Sequence, residues 1–200
     1  MRQLALGISP PPEPSLDNFV PGQNAELLAR LRELKAGRFA ESVLYVWGEP
    51  GSGRSHLLHA CARPGLAIAD NVDSLDEDGQ VGLFNRINDA REAGTAVLAA
   101  GSAPPAQLAL REDLKSRLAW GLVYQVKPLS DADRALYLAT EADRRGMRLA
   151  DDVVGYLLTR VRRDLRSLGT ILDALDRTSL EQKRRLTLPL VREVLKARDE

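Results

Sequence analysis

The 200-residue chain holds a single cysteine, Cys61, so it has no internal disulfide and no cysteine-built zinc site. Neither sign of charge is in excess: 28 Lys and Arg stand against 28 Asp and Glu, a formal net charge of zero. Proteins that coat nucleic acid without regard to sequence usually carry a strong positive surplus, so that class is set aside. Lysine is scarce, at five residues, and the remaining basic residues are arginine. No apolar run reaches the length of a membrane-spanning helix, and residues 1–8 lack a secretory hydrophobic segment. The expectation is a soluble, cytoplasmic protein with no membrane partner. The two histidines, His56 and His59, have no metal-ligand companions in sequence and read as structural. Apolar material is ample, 44% of residues, enough for one core with a small lobe appended.

Pro10, Pro11, Pro12 and Pro14 make residues 9–16 a stiff extended linker, leaving residues 1–8 as a tail. Leu27, Leu28, Leu31 and Leu34 recur at helical spacing within residues 24–35. Short β-rich or apolar runs at 42–47, 66–70, 95–100 and 122–126 read as strands, with helices at 55–62 and 81–94 between them. Alternation of this kind predicts an α/β fold, a parallel sheet covered on both faces, over residues 17–128. Residues 129–200 carry only helical patterns, parted by Gly146 and the turn at 184–187, and read as an all-helical lid. Ser130 before Asp131 and Asp133 is a helix start, as is Thr187-Leu188-Pro189.

The sharpest motif is Gly48-Glu49-Pro50-Gly51-Ser52-Gly53-Arg54-Ser55, a phosphate-binding loop in which arginine replaces the usual lysine. Its glycines let backbone N–H groups converge on phosphate oxygens at a helix N-terminus, and Ser55 offers a hydroxyl to Mg²⁺. A planar guanidinium does not substitute simply for a compact ammonium, so the expectation is retained nucleotide binding with weak or absent intrinsic hydrolysis. Asp70 ends the second strand, where a carboxylate holds Mg²⁺. Asn71 follows it and cannot act as a base; Asp73 lies nearby and reads as a loop carboxylate. Ser102 follows the third strand, within reach of a γ-phosphate by position and an ordinary loop serine on its own. Arg117, before the fourth strand, projects from the core's edge in this reading, toward a nucleotide on a neighbouring subunit. Alone it is a surface arginine. Arg163 and Arg166 start a lid helix, where one of them can fold back onto phosphates.

Together these segments resemble the AAA+ ATPases, specifically the DnaA initiator family and its Hda relatives, the regulatory inactivators of DnaA. Residues 15–24 look like the segment that cradles adenine, which puts that role on Phe19 and Val20. Residues 53–60 are similar to the Hda loop, arginine included, and extend the cofactor set to Gly48, Pro50, Gly51, Ser52, Gly53, Arg54, Ser55 and His56. Asp70, Ser102 and Arg163 complete it, the last as the family's sensor arginine. The resemblance implies ADP or ATP as cofactor, with Mg²⁺ held by Ser55 and Asp70. Residues 114–122 are close to the family's arginine-finger stretch, implying that Arg117 acts in trans on a partner's ATP. Gln3, Leu4, Leu6 and Ile8 match the peptide by which Hda proteins dock on the DNA polymerase III sliding clamp (the β subunit).

The chain ends soon after the lid, so no DNA-binding domain of the DnaA type, and no sequence-specific DNA contact, is expected. Only fourteen residues separate Ser55 from Asp70, too few for the family's second strand, an edge strand in the order 5-1-4-3-2. A four-stranded core is therefore expected. The implied function is negative regulation of replication initiation, with DnaA and the clamp as partners and a homodimer left open. The alternative is a self-sufficient AAA+ ATPase such as a helicase loader. A small P-loop kinase leaves the tail and the Arg117 segment without a role.

Overall fold

The four short runs pair into one parallel sheet in a computed structural model, which describes residues 13–162 and 164–199. A helix α1 (Ala25–Lys35) leads into β1 (Val43–Trp47), followed by α2 (Arg54–Cys61) and β2 (Ala67–Ala69). Next come α3 (Glu77–Glu92), β3 (Val97–Gly101), α4 (Glu112–Leu118) and β4 (Leu122–Gln125). The sheet order is β2-β3-β1-β4, the family order with its second strand removed from the edge. The expected four-stranded parallel core is what the chain forms.

Side chains alternate across the central strand, as strand geometry requires. Leu44 and Val46 of β1 pack with Leu27, Leu31, Leu57 and Leu98 on one face. Val43 and Tyr45 pack with Ile87, Val97, Leu114 and Leu118 on the other. Both faces are buried, which is why β1 reads as an unbroken apolar run.

Two helices differ from expectation. α3 starts four residues before Val81, because Asp76 caps it by accepting the Gly79 N–H at 2.9 Å. Its first turn, Glu77 and Asp78, is acidic and carries no apolar spacing. α4 has seven residues, too short for a periodic pattern to mark, although Leu114 and Leu118 four apart are both buried.

The chain divides at residues 128 and 129 into two compact units. The second holds α5 (Asp131–Arg144), α6 (Asp151–Arg160), α7 (Leu165–Gln182) and α8 (Leu188–Asp199). Leu138, Leu157, Leu168, Leu172 and Val191 form its core. An additional break before α7 comes from Asp164, which caps that helix by accepting the Ser167 N–H at 2.8 Å. No helix among the described residues is long and apolar enough to cross a membrane.

α5 begins in a reciprocal capping box: Ser130 Oγ accepts the Asp133 N–H at 3.1 Å, and Asp133 accepts the Ser130 N–H at 3.0 Å. The Ser130 hydroxyl and N–H hold the Asp133 carboxyl below the usual aspartate range. A lowered folded pKa gives stability that is present above the unfolded value and lost as pH falls through the folded one. Ser130→Ala removes the helix cap and is expected to lower stability at neutral pH. It also flattens the acid dependence of lid melting, read by circular dichroism melts at neutral and acidic pH.

Candidate functional site

β1 runs into the glycine loop, and the loop's geometry requires its glycines. Gly51 and Gly53 adopt left-handed backbone, φ 83° and 99°. A Cβ on Gly48 would lie 2.8 Å from the Val126 carbonyl oxygen, so only glycine lets the loop pass the end of β4 so closely. A Cβ on Gly53 would lie 2.8 Å from Cε2 of Phe19, whose ring covers the loop. Phe19 also packs on His56, ring centroids 5.6 Å apart, and His56 Nε2 lies 2.9 Å from the Ser15 carbonyl oxygen. His56 thereby fastens residues 15–19 to the first turn of α2. Val20, in the same segment, is half-buried. Pro50 is exposed at the loop's outer turn.

Ser52 Oγ and Arg54 Nη1 are buried with no hydrogen-bond partner among the described residues. Buried polar atoms are rarely left so, because each costs about 1–3 kcal/mol unpaired. They sit at the N-terminus of α2, which has no side-chain cap. Backbone donors, a hydroxyl and a guanidinium around a helix start are the groups that take up a polyphosphate. The residues present fit that group.

Beside them, Ser55 Oγ donates to Asp70 Oδ2 at 2.6 Å, bringing together the two side chains expected to hold Mg²⁺. Hard oxygen donors suit that ion. The other Asp70 oxygen accepts the Asn71 N–H at 2.8 Å, across a left-handed residue of φ 50°. Asp73 Oδ1 accepts the Ser102 N–H at 2.9 Å, tying the end of β2 to the end of β3. Asp73 is thus engaged with backbone, as a loop carboxylate, and Ser102 keeps its hydroxyl side exposed. Tyr45 donates to the Ala103 carbonyl at 2.8 Å; burial first, and Asp73 second, hold its phenol far above the usual range. Burial also pushes the Cys61 thiol up to about 11, an inert packed residue. Among the described residues no group of three or more His, Cys, Asp or Glu is placed to hold a metal.

The unpartnered Arg54 group sets the sign of a mutational effect. Arg54→Met removes a buried unpaired donor, so the ligand-free protein is expected to melt no lower than the parent. Its stabilisation by ADP with Mg²⁺ should fall: at 100 times the parent's dissociation constant, tenfold weaker binding leaves about 1.4 of about 2.7 kcal/mol. Thermal melts with and without nucleotide read both halves.

Arg117 lies in the last turn of α4, before β4, and so at the strand-start edge of the sheet. The glycine loop, Asp70 and Ser102 follow strands and lie at the opposite edge. Arg117 does not project freely, as its sequence position suggests; it is half-buried. Its Nε donates to Asn88 Oδ1 at 2.9 Å. The guanidinium carbon sits 3.6 Å from the Trp120 ring centroid and 5.0 Å from that of Phe84. Among the described residues neither Nη group of Arg117 has a hydrogen-bond or ion-pair partner.

Residues 131–195 match the family model described as Hda, lid domain. The chain is also similar to domain III of the replication initiation protein DnaA from Thermotoga maritima. That match has 20% identity over 94% of this chain and 97% of that one, with a TM-score of 0.75. Residues 131–195 are thus Hda-like, and the chain as a whole shares the fold of that DnaA domain. AMPPCP-bound DnaA from Aquifex aeolicus shares 18% identity over 86% of this chain and 68% of that one, TM-score 0.72. RuvB of Thermotoga maritima, a Holliday junction branch migration motor, shares 16% over 93% and 72%, TM-score 0.71. Identities this low show a shared fold, and the Hda match belongs to the lid, residues 131–195.

Arg163 and the tail residues Gln3, Leu4, Leu6 and Ile8 lie outside the described residues. Asn88, Phe84 and Trp120 around Arg117 belong to no sequence motif; Phe84, Asn88 and Arg91 stand four and three apart on one side of α3.

Proposed function

We propose that this protein holds an adenine nucleotide in its own loop and acts in trans on DnaA, presenting Arg117 to the ATP that DnaA carries. The observation that carries this reading is the placement of Arg117. It stands at the sheet edge away from its own glycine loop, on the order of 15 Å off by strand length, with its two Nη groups unpartnered. A guanidinium so placed serves a neighbouring molecule's phosphates better than its own. There it stabilises charge developing on the transferring phosphoryl group, and converts DnaA to its ADP form.

The protein's own site suits a switch. Ser52 and Arg54 offer donors to a polyphosphate, Ser55 and Asp70 offer oxygens to Mg²⁺, and Phe19 and Val20 offer apolar surface to an adenine base. A bound divalent ion would supply charge neutralisation on the phosphates. Asn71 cannot accept a proton from water, so slow turnover is the expected property of this site. Arg163 is the candidate for coupling the lid to the nucleotide. Residues 1–8 supply the dock on the DNA polymerase III sliding clamp: Leu4, Leu6 and Ile8 offer apolar side chains to a groove, and the Gln3 amide offers hydrogen bonds. The negative regulation of initiation follows from the two contacts together.

The test is single-turnover hydrolysis of DnaA-bound ATP with DNA-loaded clamp, adding the intact protein or a form lacking residues 1–8. Stimulation by the intact protein alone is expected. Equal stimulation without the tail would remove the clamp from the scheme, and none by either would overturn the trans reading.

A further inference from the structure

We infer that Asn88 and Trp120, with Phe84 and Arg91 behind them, form a seat that positions Arg117 for its work in trans. The inference rests on the trans reading above and names what aims the guanidinium. An arginine side chain is long and rotamer-rich, so fixing it at the moment of encounter costs conformational entropy. Here that cost is met in the folded chain. The Trp120 ring lies 3.6 Å under the guanidinium carbon, a stacking distance, and Phe84 flanks it at 5.0 Å. Asn88 Oδ1 takes the Nε–H at 2.9 Å. With the plane fixed by stacking and its rotation fixed by that one bond, the remaining donors are the two Nη groups, the pair suited to phosphate oxygens.

The seat has its own support. Trp120 is 40% exposed, and the rest of its surface is in contact with the chain. Its ring also carries the Arg91 guanidinium at 4.5 Å. Phe84, Asn88 and Arg91 lie along one side of α3, next to the stripe Leu83, Ile87 and Ala90 that faces the core. One helix thus anchors the sheet with one stripe and the finger's seat with the next. A misplacement of about 1 Å in a positioning element typically costs about 100-fold in rate.

The experiment uses the full chain as wild type, Asn88→Ala, Trp120→Ala and Trp120→Phe. Nitrogen-15 arginine spectra first judge the seat by itself. Asn88→Ala should move the Arg117 Nε–H resonance to the position of solvent-exposed arginines and speed its exchange, with melting temperature little changed. An unchanged resonance overturns the seat. DnaA-bound ATP hydrolysis is then measured against protein concentration. Asn88→Ala and Trp120→Ala should lower the plateau rate about 10- to 100-fold while the half-saturating concentration stays within about twofold. Trp120→Phe, which keeps a ring to stack on, should recover most of the plateau. A shift in half-saturation alone would make these residues contact surface and overturn the positioning role. No stimulation by wild type would overturn the trans reading, and the positioning role with it, while the spectra would still show whether the seat exists.

Discussion

Arg117→Ala is expected to lower stimulated hydrolysis of DnaA-bound ATP by about 10³-fold or more, the usual weight of an arginine finger. The protein itself should stay folded. The side chain is half-buried, and its removal deletes one charge-assisted hydrogen bond and one close stacking contact, together worth about 2–4 kcal/mol. Its own nucleotide site lies at the other edge of the sheet, so ADP affinity should not change. Arg117→Lys is informative beside it. Lysine keeps the charge but loses the Nε donor to Asn88, the planar stack on Trp120 and the paired Nη groups. It should recover little of the lost rate. Single-turnover assays of the three proteins, with nucleotide binding measured in parallel, check the separation. Loss of ADP binding in Arg117→Ala would place the residue at the protein's own site.

Gly121→Ala carries the largest expected effect on stability. The residue stands between α4 and β4 where the chain crosses the start of β1. A Cβ there would overlap the Val43 carbonyl oxygen and lie 2.7 Å from its carbon, both backbone atoms. Backbone in the middle of a sheet cannot rotate aside as a side chain does, so β4 must shift relative to β1 or the strands must part. The cost is about 3 kcal/mol, the upper end for overpacking. For a protein of this size that lowers the melting temperature by about 6–12 °C. Because Leu44 pairs with Leu122 immediately beyond, the shift also disturbs register at β4, the strand that follows Arg117. A thermal melt of Gly121→Ala beside Gly82→Ala reads the effect. Gly82, on α3, has open space where a Cβ would go and should tolerate alanine. Equal melting of the two would show that the β1–β4 approach is looser than described.

Local patterns made much of this molecule legible before its structure. The four strands are short apolar runs between turn residues, and the strand–loop–helix of residues 43–61 carries its motif in consecutive positions. Even the missing edge strand was readable, from the resemblance to a five-stranded family together with the count of residues between Ser55 and Asp70. What escaped depends on contacts between elements. Asp73 meets the Ser102 backbone, and Arg117 meets Asn88, each across 29 residues. No periodicity links such positions. The early start of α3 escaped because its capping turn is polar, and α4 because seven residues give less than two full helical turns. The orphaned atoms of Ser52 and Arg54 were foreseen as residues of the site but not as buried groups lacking partners, since burial is a property of packing.

One measurement bears on the centre of this scheme: whose ATP is hydrolysed. DnaA is loaded with γ-labelled ATP and this protein with ADP and Mg²⁺, free nucleotide is removed, and the two are mixed with DNA-loaded clamp. Label release in a single turnover, dependent on Arg117 and with no exchange onto this chain, is the expected result. If DnaA keeps its label under these conditions while this protein alone turns over added ATP rapidly, it is an ATPase in its own right, and the trans role of Arg117 is contradicted.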